Sequence, residues 1–255
     1  MAARTSSFDA IILRAKESPS GARIITLLSG EEGLVEAFAF GGGKSKLRSL
    51  ASPWHAGRAW IYRDPAKGLI TLSDFDVRRE HHHIREALEP IGAASLASEI
   101  LIATEALGGD WQDAGSLMAA FLEQLDAEAM DAVSVERALC LFCLKTVDLT
   151  GTMPDLLSCA RCDAEAGSEG WALYSRRAGA FLCGRCAEDP SDADECVELS
   201  AGARRWLAKA AESGYSFEYR TGIARDALSL IKAVALDLVA KAAHGRLKTL
   251  DSGVV

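Results

Sequence analysis

Hydrophobic residues in the first 80 positions recur in short runs that partly alternate with polar ones, the period of a strand with one buried face. Phe8–Ala15, Ala22–Ser29, Leu34–Phe40, Arg58–Arg63 and Leu69–Val77 are five such runs. Gly30-Glu31-Glu32-Gly33 separates the second from the third, and Asp64-Pro65-Ala66-Lys67-Gly68 separates the last two. Both are rich in residues that favour turns. Five short strands in so little chain predict a small closed barrel, because closure leaves no unpaired edge. Period alone does not separate an OB-fold, the five-stranded barrel that commonly binds nucleic acid, from an SH3-like barrel.

Beyond Ile84 the spacing becomes helical. Leu96, Ile100, Ala103 and Leu107 share one face, and Gly108-Gly109 ends that run. Leu117, Phe121, Leu122 and Leu125 form a second face, and Val135, Leu139, Phe142 and Thr146 a third. Residues 155–190 lose this period, and helical spacing returns over Leu199–Ala211 and Ile223–Ala243. The acidic stretch Glu188–Glu198 reads as a solvated linker. The predicted architecture is α+β and multidomain: an N-terminal barrel (1–80), a helical domain in two parts (81–154 and 191–255), and a cysteine-bearing module (155–190) inserted between them.

Composition adds that the chain is an ordinary globular one, 255 residues with 49% hydrophobic and 25% charged. Its apolar stretches are too short to span a bilayer and no leader pattern opens it, so a soluble, cytoplasmic protein is expected. The net charge of −8 would argue against nucleic acid if it were evenly spread. It is not. Residues 1–80 carry 12 Lys/Arg against 9 Asp/Glu, whereas residues 81–158 carry 3 against 13. From Ala37 to Arg63 there are 27 residues without an acid. A local basic face decides phosphate contact, and whole-chain charge does not.

Three C-x-x-C pairs occur: Cys140/Cys143, Cys159/Cys162 and Cys183/Cys186. Two pairs make a tetrahedral thiolate site for zinc. The spacing allows two combinations, since 15 residues separate Cys143 from Cys159 and 20 separate Cys162 from Cys183. Cys140 and Cys143 lie in an apolar helical run, where cysteine serves as a small buried hydrophobe. Cys159, Cys162, Cys183 and Cys186 lie where helical period is absent, and Gly184 suits a tight knuckle. They are the expected ligands of a structural zinc. Four thiolates leave no open position for catalysis. Cys196 is unassigned.

Phe38-Ala39-Phe40-Gly41-Gly42-Gly43-Lys44-Ser45-Lys46 invites comparison with a phosphate-binding loop, but the position that motif reserves for its first glycine holds Phe38. The expectation is instead a strand-to-strand loop presenting Lys44, Lys46 and Arg48 to DNA phosphates, with Arg14, Arg23, Arg58 and Arg63 extending the track. Phe38, Phe40, Trp54, Trp60 and Tyr62 are candidates either for base stacking or for barrel core. His81-His82-His83 are metal-ligand types, but neighbours in a helix do not face one site, so they read rather as a charged joint between barrel and helices. Arg176-Arg177 and Arg204-Arg205 read as exposed basic pairs.

The order of these pieces resembles the RecO family. Asp9-Ala10-Ile11-Ile12-Leu13-Arg14, Ile24–Ser29 with Glu31–Val35, the basic segment Gly41–Arg48, Leu149–Pro154 leading into Cys159-Ala160-Arg161-Cys162, and Gly245-Arg246-Leu247-Lys248-Thr249 carry the resemblance over nearly the whole chain. It implies an N-terminal OB-fold, a helical domain and a zinc module. It also implies a non-enzymatic, nucleoid-associated recombination mediator in DNA repair. Such a protein binds single- and double-stranded DNA, anneals complementary strands, and helps RecR load the recombinase RecA onto DNA coated by SSB, whose acidic C-terminal tail it contacts. Arg137, or Arg204-Arg205 with Trp206, is a candidate contact for that tail. The alternative readings are a zinc-containing DNA-binding adaptor or transcription module, and a thiol oxidoreductase using one C-x-x-C pair. The latter lacks a thioredoxin-like context.

Overall fold

The structure, a computed structural model, describes residues 4–18, 21–41, 45–105, 110–128, 130–165, 172–187, 196–213 and 223–253. The chain divides into two compact units, residues 1–128 with 249–255, and residues 129–248.

The first unit is built on the expected five strands: β1 (Thr5–Glu17), β2 (Arg23–Ser29), β3 (Gly33–Ala39), β4 (Ala56–Asp64) and β5 (Leu69–Arg79). They close into a barrel in the order β1-β2-β3-β5-β4, with β4 returning to β1. All neighbours are antiparallel except β3 and β5, which run parallel. That order, with a short helix α1 (Lys46–Leu50) between β3 and β4, is the OB-type arrangement and not the SH3-like one.

Alternation explains the barrel's interior. Phe8, Ala10 and Ile12 of β1 face inward with Ile25, Leu27, Val35, Ala37, Ala59, Ile61, Leu72 and Phe75. The register of β1 against β2 slips between Ile12 and Arg14. This bulge shifts the phase, so that Ala15 packs on the same interior, and it leaves Ile11, Ile12 and Leu13 buried in succession. The outer face of β1 and β2 is covered by α2 (Leu88–Ala103) and α3 (Trp111–Leu125), which pack on those strands. A 3-10 turn, His82–Arg85, joins β5 to α2. Asp110 caps α3 by accepting the Asp113 amide at 3.1 Å.

In the second unit α4 (Ala132–Leu149) is central. It is buried almost without interruption from Ala138 to Val147 and packs on α7 (Arg225–Ala242) and α6 (Ala201–Glu212). Beside it lie β6 (Ala172–Ser175), β7 (Ala180–Leu182), α5 (Gly184–Ala187) and β8 (Cys196–Leu199), the strands forming a sheet in the order β7-β6-β8. A short α8 (Lys248–Asp251) follows α7. Buried Tyr174 of β6 donates to Asp237 of α7 at 2.6 Å, tying sheet to helix. No helix among the described residues is long and apolar enough to cross a membrane.

Three local expectations are corrected, and one open alternative is decided. Lys46 and Arg48 lie on helix α1, not in an open loop, because Leu47 and Leu50 can then pack against the barrel core. Cys196–Glu198 belongs to β8, since Val197 and Leu199 are buried against β6, whereas residues 188–195 of that stretch lie outside the described residues. Arg204 is not an exposed basic residue but is buried on α6 beside buried Trp206. Of the aromatics read as either stacking or core residues, Trp54 is a core one: it is buried, its indole donating to Ser98 Oγ at 3.3 Å.

Candidate metal centre and nucleic-acid interface

Two tight knuckles build the cysteine cluster. In the first, the Asp163 amide donates to Cys159 O at 2.9 Å and the Cys159 amide to Ala164 O at 3.0 Å, while Asp155 accepts the amides of Leu157 and Ser158 and fixes the approach. In the second, the amides of Cys186 and Ala187 both donate to Cys183 O at 3.0 Å. The Ala160 amide reaches Phe181 O at 2.9 Å and holds the knuckles together. The four Sγ atoms of Cys159, Cys162, Cys183 and Cys186 all lie within 4.8 Å of one another. Cys162 Sγ and Cys183 Sγ are 3.8 Å apart. A tetrahedron with metal–sulfur bonds of about 2.3 Å has sulfur–sulfur edges of about 3.8 Å, the length of the Cys162–Cys183 edge, so the donor set is of the kind that could hold a zinc ion. The same separation is far too long for a disulfide.

Burial works against ionisation of Cys159. Amide donors from Cys183, Arg161 and Cys162 outweigh it and hold the thiol at about 6. Cys186, hydrogen-bonded to Cys162 and Cys183 and facing the Cys159 charge, is pushed up to about 12. Thiols so close together cannot all ionise without a cation among them. The arginines cross over. Arg161 of the first knuckle donates to Cys186 O at 2.8 Å, and Arg185 of the second bonds Cys162 and is raised by it. This crossing of the two arginines between the knuckles was not foreseen. The C-x-R-C repeat in both knuckles was its only trace in sequence.

Cys140 and Cys143, by contrast, are enclosed in α4. Burial pushes Cys140 well above the ordinary thiol range and Cys143 up to about 12. Such thiols are inert packing groups.

The basic residues expected to face DNA fall into several ion pairs. Arg23 Nε lies 2.9 Å from Glu17 Oε1, and Arg48 pairs with the same oxygen. Arg23 also donates to Arg48 O at 2.9 Å, securing the end of α1. Arg58 lies 3.5 Å from Asp9, which Arg78 also reaches at 3.1 Å. Arg63 pairs with Glu32 at 2.7 Å, and Arg14 with Glu36 at 3.3 Å. The acid-free run in sequence is therefore not an acid-free surface, because strand pairing brings acids from β1 and the β2–β3 turn beside it. Lys46 is exposed and makes no ion pair among the described residues. Lys44 lies outside them.

Outward positions of β3 and β4 carry aromatics. Phe38 and Phe40 alternate with buried Ala37 and Ala39, and their rings stack with centroids 6.1 Å apart. Phe40 is 53% exposed. Trp60 and Tyr62 are half-buried on the outer face of β4, between buried Ala59 and Ile61. A cleft of about 480 Å³ opens between the barrel and α3, with Asp9, Ser29, Arg78, Gln112 and Ser116 in its lining.

Comparison with known proteins agrees with this geometry. A family model described as Recombination protein O N terminal matches residues 1–80, and one described as Recombination protein O C terminal matches residues 85–242. The chain is similar to the DNA repair protein RecO of Pelotomaculum thermopropionicum, 34% identical over 181 residues, which is 70% of this chain and 67% of that protein. It is similar to the DNA repair protein RecO of Anaeromyxobacter dehalogenans strain 2CP-C, 32% identical over 209 residues, 80% of this chain and 78% of the other. Desulfitobacterium hafniense strain Y51 has a DNA repair protein RecO 28% identical over 178 residues, 70% of this chain and 63% of that one.

Proposed function

The chain belongs to the RecO family of DNA repair proteins, and on that premise we propose that it is a recombination mediator acting by binding and not by catalysis. Residues 1–80 bind single- and double-stranded DNA, and complementary strands anneal on them. With RecR, the protein helps load RecA onto SSB-coated DNA, contacting the acidic SSB tail, in the cytoplasm at the nucleoid. These partners rest on the family resemblance.

The observation that carries the reading is the barrel rim. There α1 presents Lys46 and Arg48, and exposed Phe40, just past β3, stacks with half-buried Phe38 on the outer face of that strand. Cations neutralise phosphates and release counterions, while aromatic faces accept unpaired bases without regard to sequence. Lowering the repulsion between two strands while leaving their bases exchangeable is what annealing requires. Arg14, Arg23, Arg58 and Arg63 contribute by exchanging their carboxylate partners for phosphate. Cys159, Cys162, Cys183 and Cys186 would hold a zinc ion, which supplies folding energy to residues 155–187 and no chemistry.

The test is annealing of complementary oligonucleotides by protein of measured zinc content, with binding followed across a salt series. Accelerated annealing that weakens as salt rises is expected. Failure to bind single strands at low salt would overturn the proposal.

A further inference from the structure

Three consecutive histidines follow β5, and the fold gives them three different tasks. His81 is buried in the left-handed region (φ 48°), with Nδ1 2.6 Å from Trp54 O. It is committed to holding the barrel's entry into the helices. His83 is anchored twice to Asp126, the residue that ends α3: its amide donates to Asp126 Oδ1 at 2.9 Å, and its Nδ1 lies 2.9 Å from Asp126 O. A carbonyl only accepts, so the neutral His83 ring carries its proton on Nδ1 and leaves the lone pair on Nε2. Carbonyl anchoring of one ring nitrogen is how metal-ligating histidines are commonly oriented. His82 is exposed, and its ring lies against that of His83 with centroids 3.9 Å apart. One donor atom from each of His82, His83 and Asp126 lies within 4.8 Å of the other two.

We propose that His82, His83 and Asp126 form a second metal site, independent of the cysteine centre, for a divalent late transition ion. Two imidazoles and one carboxylate suit zinc, nickel or copper. Calcium and magnesium require oxygen donors in greater number. The carbonyl-bearing end of α3 adds negative potential at the site. Arg85 opposes it, since its guanidinium interacts with Asp126. That group is held by the carbonyls of Pro53, Glu80 and His81. Its fixed charge penalises cations bound by charge alone more than those bound by imidazole coordination. Three protein ligands leave coordination positions for water. An ion bound here ties the His82–Arg85 turn to the end of α3, and so the approach of the barrel chain to α2 is braced by metal.

The test uses the full chain without a histidine tag, loaded with zinc and titrated with Ni²⁺, with both metals measured after gel filtration. One nickel per chain is expected, with zinc retained and no thiolate-to-nickel charge-transfer absorption. His82→Ala and Asp126→Asn should each weaken nickel binding on the order of tenfold or more. His82 is exposed, and asparagine keeps an oxygen for the His83 amide, so both variants should keep the wild-type thermal midpoint without nickel. His244→Ala should leave nickel binding unchanged. Nickel affinity unaltered in both His82→Ala and Asp126→Asn, or nickel arriving only with the thiolate band or with loss of zinc, would overturn the proposal.

Discussion

Arg48 on α1 and Glu17 on β1, 31 residues apart in the chain, form an ion pair at the rim of the barrel. The Glu17 oxygen involved also takes the Arg23 guanidinium, and those two arginines hold its carboxyl below the usual carboxylate range, with the Arg23 hydrogen bond contributing most. One exposed acid therefore occupies two of the cations expected to meet phosphate. If the proposed DNA contact holds, a strand arriving at this rim would compete with Glu17 for both.

Glu17→Gln should strengthen binding. Each cation released for phosphate steepens the slope of log affinity against log salt on a single strand by about 0.7. A slope steeper by about 1, with several-fold tighter binding at low salt, is expected by fluorescence anisotropy over a KCl series. Conversely, changing Lys44, Lys46 and Arg48 together to alanine should flatten the slope by about 2 if each meets a phosphate. An unchanged slope in both variants would move DNA contact away from α1.

Zinc stoichiometry should separate the three cysteine pairs. Cys183→Ser is expected to lose its zinc and to become susceptible to proteolysis within residues 155–187, because metal binding supplies much of the folding energy of so small a module. Cys140→Ser should keep one zinc per chain. Elemental analysis of the two purified variants decides. Retention in Cys183→Ser would reassign the ligands.

Thiol reactivity should follow burial. With Cys143 pushed up to about 12, only about one molecule in ten thousand carries that thiolate at pH 8. Iodoacetamide should leave Cys140 and Cys143 unmodified in the native protein at that pH, and urea should expose both. Below the ordinary thiol value of 9.0 neither state ionises and nothing is lost. Above it the unfolded chain sheds protons that the folded chain keeps, so stability falls as pH rises, by about 1 kcal/mol per thiol per pH unit. Urea midpoints measured between pH 8 and 10.5 should decline, and a Cys143→Ala variant should decline less.

Gly57 sits at the irregularity where β4 changes register against β5. A Cβ there would lie 1.9 Å from Asp76 O, a backbone atom that cannot step aside. Gly57→Ala should cost about 3 kcal/mol or more. Gly68→Ala meets no neighbour but must adopt φ +60°, which costs only about 1 kcal/mol. Thermal midpoints of the two variants should therefore fall in that order. Equal midpoints would mean that the β4–β5 pairing can shift.

The sequence by itself determined the five barrel strands, the longer helices and the candidate ligands. Alternation marked all five strands, helical spacing marked α2, α3, α4, α6 and α7, and paired cysteines at a metal-site spacing marked the cluster, because each is a local property of neighbouring residues. The tertiary structure alone decided which residues meet. Arg48, Arg58 and Arg63 come from an acid-free stretch, yet barrel closure sets Glu17, Asp9 and Glu32 against them. His82 and His83 read as a charged joint until the end of α3 delivers Asp126 to them, 43 residues further along the chain. Arg204 carries the same charge as Arg205 but faces the interior, since a helix turns adjacent side chains about 100° apart. Charge and metal coordination act through space over a few ångströms, and residues that close are brought together by chain closure and packing, which no local pattern records.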